Sequence, residues 1–199
     1  MAGVSVGVAA LLALLALAGV LFAGYALRFR RWYEAGVRGS AYFGRPSAER
    51  RAFAEEVARR AAPLRRVAAA LARVVPPRFP DGGELRGIRG PIQCGAADFE
   101  RAAGYRAGAR DVFVATQMKC GTTWMQQLVY EVLSRGRGDL SDAGARHLYA
   151  VSPWIEARWS VHLDDAPGIG PSGRRVIKTH MPTRLLPIAR DARYVYVTR

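Results

Sequence analysis

From Ala2 to Leu27 the sequence reads AGVSVGVAALLALLALAGVLFAGYAL without one charged side chain. A run of this length reaches across the roughly 30 Å hydrocarbon layer of a bilayer when it is helical. Lipid offers the backbone no water to bond with, so a lone spanning segment must satisfy its N–H and C=O groups internally, as a helix. A cleaved signal peptide is the competing reading, because AGYA at Ala23–Ala26 has the small residues of a cleavage site. Against it, no basic region precedes the run, and the apolar stretch is too long. Arg28, Arg30 and Arg31 follow directly, and Trp32 and Tyr33 suit the headgroup layer. The positive-inside rule then places the rest of this single-pass chain in the cytoplasm.

The 199 residues allow one ordinary domain beside that segment, and 50% hydrophobic content is enough for a core. Thirty Lys and Arg against sixteen Asp and Glu give a net charge of +14. That balance fits a solvated basic face or attraction to anionic lipid, and nucleic acid is not expected. Two cysteines, Cys94 and Cys120, are too few for a disulfide framework, and no Cys/His spacing suits zinc, so no metal is expected. Residues 28–90 read as a basic juxtamembrane helical segment and linker. Within it, Ser47–Val75 is rich in alanine and arginine, with Phe53, Val57, Leu64, Val67 and Leu71 on one helical face and Pro63 expected to kink or divide it. This helix either lies on anionic lipid or packs with a wet basic face, and the two readings weigh equally. Breakers from Pro76 to Gly83 mark a linker, and a domain boundary is expected near Pro91. A short helix over ADFERAAGYRAGA then leads into the main fold.

Asp111–Thr116, DVFVAT, reads as a buried strand, followed by the tight turn QMKCG. In TTWMQQLVYEVLSRG, residues Trp124, Met125, Leu128, Val129, Val132 and Leu133 repeat at helical spacing, with Gly136 as a natural C-cap. Further strands are expected at Arg175–Lys178 and Arg193–Thr198. The fold class is therefore α/β, a P-loop-like parallel sheet flanked by helices and preceded by one transmembrane helix.

A loop between a buried strand and a helix N-terminus presents backbone N–H groups and the positive end of the helix dipole, which together bind anions. In MKCGTT, Lys119 adds a charge, Gly121 permits close backbone approach, and Thr122 and Thr123 can donate hydroxyls. Lys119 precedes the glycine, so this is not a Walker A sequence, which weakens an ATP-hydrolysing or kinase reading. Cys120, a thiol beside a lysine at a helix start, can be reactive, or can simply be a small loop residue.

TQMKCGTTW, Thr116–Trp124, resembles the TYPKSGTTW phosphosulfate loop of the sulfotransferases that use 3'-phosphoadenosine 5'-phosphosulfate. Gln117 and Met118 stand in place of Tyr-Pro, and Cys120 in place of serine. IKTHMPTRLLP resembles the family's KTHLP...LLP, YVYVTR its 3'-phosphate strand, and SPWIE at Ser152–Glu156 its PWxE element on the acceptor side. The resemblance implies that Lys119 and Lys178 stabilise charge at the transferred group and that His180 is the base. It further implies that Trp124 stacks on adenine and Arg199 grips the 3'-phosphate, with Lys119, Cys120, Gly121, Thr122 and Thr123 holding the 5' side. Such residues suit the chemistry, since an attacking hydroxyl loses a proton while charge grows on the leaving phosphate. The acceptor is then a small molecule or lipid bearing a hydroxyl or amine, no metal is needed, and residues 91–199 form the N-terminal part of a sulfotransferase domain. The family's C-terminal motifs do not appear, so a truncated chain of impaired activity is expected. A membrane-anchored nucleotide-binding protein or kinase, and a non-catalytic membrane adaptor, remain the alternatives.

Overall fold

The uncharged run is helical throughout. In the computed structural model, which describes residues 2–38, 40–74, 84–90 and 93–198, helix α1 spans Ala2–Val37. It continues past Leu27 and carries Arg28–Tyr33 in helical register. By length and composition it can cross a membrane, and its apolar window is wholly unburied. The Pro76–Gly83 linker, the boundary at Pro91 and Arg199 lie outside the described residues.

The chain forms two compact units. The first joins α1 to the body of α3, Ser47–Leu71. Tyr25 Oη donates to the Arg60 carbonyl at 2.7 Å, the Trp32 and Phe53 rings lie 5.1 Å apart, and the Arg60 guanidinium sits 4.3 Å from the Trp32 ring centroid. Gly36 leaves room for this approach, since a Cβ there would meet the Phe53 ring at 2.4 Å and the ring would have to shift. Contrary to the expected division, α3 runs unbroken through Pro63. One missing backbone donor is tolerated where the flanking alanines and arginines are strong helix formers.

The second unit holds the sheet. The segment after α1 contributes the short helix α2, Ser40–Phe43, and Ser47, whose N–H and hydroxyl both donate to Asp142 at 2.7 and 2.6 Å. A two-stranded antiparallel pair, β1 Glu84–Leu85 and β2 Ile88–Arg89, precedes α4, Ala96–Ala103. Strand β3, Asp111–Thr116, is buried at every position and lies between β4, Arg175–Thr179, and β5, Arg193–Val197. Both pairings are parallel.

Alternation along the strands feeds two apolar clusters, as expected of a parallel sheet covered on both faces. Phe113 and Ile177 pack with Phe99 and Ala102 of α4 and with Ile155, Met181 and Leu185. Val114 and Val176 face Tyr130 of α5, Thr122–Ser134, together with Leu148 and Val151 of α6, Leu148–Val151. At the start of β3, buried Asp111 accepts from Arg175 at 2.7 and 3.0 Å, from the Tyr105 hydroxyl at 2.9 Å and from the Gly108 N–H at 2.9 Å. Burial, reinforced by Asp111, pushes the Tyr105 phenol up to about 12.

Helix α5 turns differently from its apolar pattern. Met125, Val129 and Leu133 do pack on the core, but Trp124, Leu128 and Val132 are exposed. The buried stripe is Thr122, Gln126, Tyr130 and Ser134. Gln126 can occupy it because its Nε2 donates to the carbonyl and hydroxyl of Ser152 at 3.2 and 2.8 Å. Arg135, rather than Gly136, takes the C-cap position, with φ 57°, and Gly136 follows at φ 70°.

Candidate active site

The site gathers where β3, β4 and the N-terminus of α5 converge. Thr116 ends β3, and the chain reverses through Gln117–Gly121, with left-handed backbone at Lys119, φ 65°, and at Gly121, φ 94°. Gly121 caps α5, and nothing lies within 4 Å of where its Cβ would be. The left-handed turn is thus what demands glycine, and it leaves the helix end open to a ligand. Lys119, Thr123 and Trp124 are exposed around this opening and Cys120 is partly exposed. Thr122 points inward, with its hydroxyl bonded to that of Thr116.

His180, just beyond β4, closes onto the same strand end. Its Nδ1 lies 2.8 Å from the Thr116 carbonyl and 3.3 Å from the Thr116 hydroxyl. A carbonyl can only accept, so this bond assigns the proton to Nδ1 and leaves Nε2 with the free lone pair when the ring is neutral. Burial holds the imidazole below its ordinary value, nearby Lys178 adds to that, and the bond to Thr116 opposes it. The geometry is that of a proton acceptor kept neutral near pH 7.

Lys178 is 6% exposed, with its Nζ 4.1 Å from the Trp154 ring centroid, 5.0 Å from the Tyr149 ring and 3.5 Å from the Tyr149 hydroxyl. Two aromatic faces therefore hold the ammonium where water is largely excluded. Trp154 also meets the His180 ring edge to face, at 5.0 Å and 84°.

The turn that carries Trp154 is fixed from both sides. Pro153 O accepts from Lys178 N at 2.8 Å, and Ile155 N donates to Lys178 O at 3.0 Å. Glu156, 1% exposed, accepts the His180 backbone N–H at 2.6 Å. Burial pushes its carboxyl up, while the neighbouring indole of Trp154 and the His180 N–H favour the ionised form. Glu156 Oε2 and Trp154 Nε1 have no partner at hydrogen-bond geometry among the described residues.

Of the residues singled out from sequence, Thr122 and His180 meet through Thr116, and Lys178 joins them through Trp154. Lys119, Cys120, Gly121, Thr123 and Trp124 form the loop and first helical turn beside them. Sequence reasoning missed Thr116, Tyr149 and the backbone-holding role of Glu156. A glutamate directly after the apolar run Pro153–Ile155 was the available signal for the last, since a charge beside such a run has to find a buried partner. Among the described residues, no group of three or more His, Cys, Asp or Glu side chains could hold a metal.

A family model described as the sulfotransferase domain matches residues 109–199. Human sulfotransferase 1E1 is 26% identical over 105 residues, covering 51% of this chain and 35% of that protein. Mouse sulfotransferase 1A1 is 30% identical over 115 residues, covering 52% and 36%, and cytosolic sulfotransferase 1 of Danio rerio is 29% identical over 110 residues, covering 51% and 36%. The chain thus spans about a third of the length of these curated relatives. The matched segment, which contains the loop, both lysines and His180, is similar to the sulfotransferase domain.

Proposed function

We propose that the protein transfers a sulfuryl group from 3'-phosphoadenosine 5'-phosphosulfate to the hydroxyl or amine of a small-molecule or lipid acceptor, while α1 holds it in a membrane. The observation that carries this reading is the meeting of an open helix-capping loop with a His180 imidazole whose Nδ1 is committed to Thr116. The donor residues fit a phosphosulfate: exposed backbone at the start of α5, a left-handed Gly121, and the charge of Lys119 beside the Thr122 and Thr123 hydroxyls. When bound, the donor supplies an activated sulfuryl group on a phosphate leaving group. His180 Nε2 takes the proton of the attacking hydroxyl, and Lys178, desolvated between Trp154 and Tyr149, offsets the negative charge that develops nearby. Trp124 offers an exposed ring on which the adenine stacks, and Arg199 grips the 3'-phosphate. The arginines after Leu27 orient the second unit to the cytoplasmic side.

The test is calorimetric titration of the detergent-solubilised full chain with 3'-phosphoadenosine 5'-phosphate and with ATP. Selective binding of the 3'-phosphorylated nucleotide is expected, and a preference for ATP would overturn the reading. His180→Ala should abolish transfer to an acceptor while leaving that binding nearly unchanged, and full retained activity would remove His180 from the mechanism.

A further inference from the structure

Val37–Ala52 belongs to the second unit, although the rest of α1 before it and the body of α3 after it belong to the first. Contacts along its length seat it there. Ser47 donates twice to Asp142, the Arg146 guanidinium donates to the Gly44 carbonyl at 2.5 Å, and the Phe43 ring lies 4.8 Å from the His147 ring. Within the stretch, Arg50 donates to the Arg45 carbonyl at 2.6 Å and braces the turn into α3. A stretch that reads as connecting chain from sequence is therefore built into the surface that carries the candidate site.

Phe43 leads from there to the site. It meets Tyr149 edge to face, at 5.4 Å and 82°. The Tyr149 N–H donates to His147 Nδ1 at 3.0 Å, and burial, with Arg50 adding to it, holds His147 below its ordinary value and so keeps it an acceptor. Tyr149 in turn lies against Lys178, with its ring centroid 5.0 Å and its hydroxyl 3.5 Å from Nζ. At 3.5 Å the hydroxyl is at the limit of a hydrogen bond, so the ring is the part that holds the ammonium. Among the described residues, neither Phe43 nor Tyr149 belongs to the two apolar clusters that stabilise the sheet. Their contacts serve Lys178 rather than the core.

From these contacts we propose that Phe43 and Tyr149 are positioning residues for Lys178, which makes the stretch between α1 and α3 a working part of the site rather than a tether. This rests on the proposed role of Lys178 in sulfuryl transfer, whereas the placement of its ammonium can be read without any reaction. The two rings beside Nζ are fixed in different ways. Trp154 is tied to β4 itself, through Pro153 O and Ile155 N on the backbone of Lys178. Tyr149 has no such tie to β4 among the described residues, so its ring has to be set from outside, and Phe43 sets it. A lysine carries a compact charge on a long flexible stem, and with one ring gone that charge spreads over other rotamers. Losing one ring from a desolvated ammonium corresponds to roughly a tenfold fall in the held population.

Lys119 and Lys178 are the only lysines in the sequence, so the full chain grown with carbon-13 lysine and solubilised in detergent gives one Cε signal from each. Ring currents of Trp154 and Tyr149 should displace the Hε protons of Lys178 upfield from those of exposed Lys119. Tyr149→Leu and Phe43→Ala should each move the Lys178 signal toward the Lys119 position, while Tyr149→Phe should leave it in place, because the ring remains. Melts followed by tryptophan fluorescence should stay close to the parent in all three, since neither residue lies in the clusters of the sheet. A Lys178 signal unmoved by Tyr149→Leu or by Phe43→Ala overturns the inference, and so does a signal that moves only together with loss of the melt. Tyr149→Phe moving it as far as Tyr149→Leu overturns the role of the ring. Titration of the parent with 3'-phosphoadenosine 5'-phosphate separates the two readings: no binding, with the signal moving as expected, overturns sulfuryl transfer and upholds the positioning of Lys178.

Discussion

Replacing Glu156 tests whether the buried turn aims His180. Glu156→Ala removes the acceptor of the His180 N–H, a 2.6 Å bond in a place water does not reach. An N–H left unpaired there costs about 1–3 kcal/mol. For a chain of this size that lowers Tm by roughly 2–12 °C. Glu156→Gln keeps an oxygen acceptor and removes the titration, so it should stay close to the parent protein. Their pH dependence should differ as well. The folded carboxyl sits above its ordinary value, so the native state binds the proton more tightly than the unfolded chain does. Its contribution to stability is then full below the unfolded value near 4.5 and is lost as pH rises through the folded value. Glu156→Gln should therefore gain stability relative to the parent across that window. Thermal melts of the full chain in detergent, followed by tryptophan fluorescence over a pH series, read both effects. If Glu156→Gln melts with Glu156→Ala at every pH, the bond to His180 is not what this side chain supplies, and the reasoning fails.

Asp111→Ala strands the Arg175 guanidinium, which is only 16% exposed, and should cost about 3–5 kcal/mol in urea unfolding; an unmoved midpoint would refute the ion pair as a structural element. The His180 imidazole should titrate below 6.5 by NMR, because burial and Lys178 disfavour its charge, so its base form persists to lower pH than that of a free histidine. In the same sense, this depressed value makes the protein lose stability as pH falls through 6.5 toward the folded value, and a titration midpoint above 6.5 would contradict the placement. Iodoacetamide at neutral pH should modify Cys120 and spare Cys94 until denaturant is added, since Cys94 is fully buried and its thiol is pushed up to about 12; early labelling of Cys94 by mass spectrometry would show that this core opens.

How much could be read beforehand follows from the range over which each signal acts. The strand at Asp111–Thr116 and the helix after Gly121 were legible because burial of β3 and the left-handed turn leave their mark on consecutive residues. The face of α5 was not. Its apolar residues span two adjacent stripes, and the choice between them lies with Ser152, some 26 residues away, whose carbonyl and hydroxyl make Gln126 a core residue. The same limit governs the site. His180 could be picked out by its company of lysine and threonine, but which ring nitrogen is free depends on Thr116, 64 residues earlier, at the end of a strand with which β4 pairs in parallel. That pairing makes the protonation state a property of the sheet: register sets Ala115 opposite Thr179, so the next residue of β3 presents its carbonyl to the next residue after β4. A shift of one residue would turn the side chains of β4 to the opposite face. Lys178 would then leave Trp154, and His180 would lose the bond that orients its lone pair. The alternation of Val176, Ile177, Lys178 and Thr179 against Phe113 and Val114 is thus what holds the chemistry in place, with the buried apolar partners fixing a register that the lysine and histidine could not fix themselves.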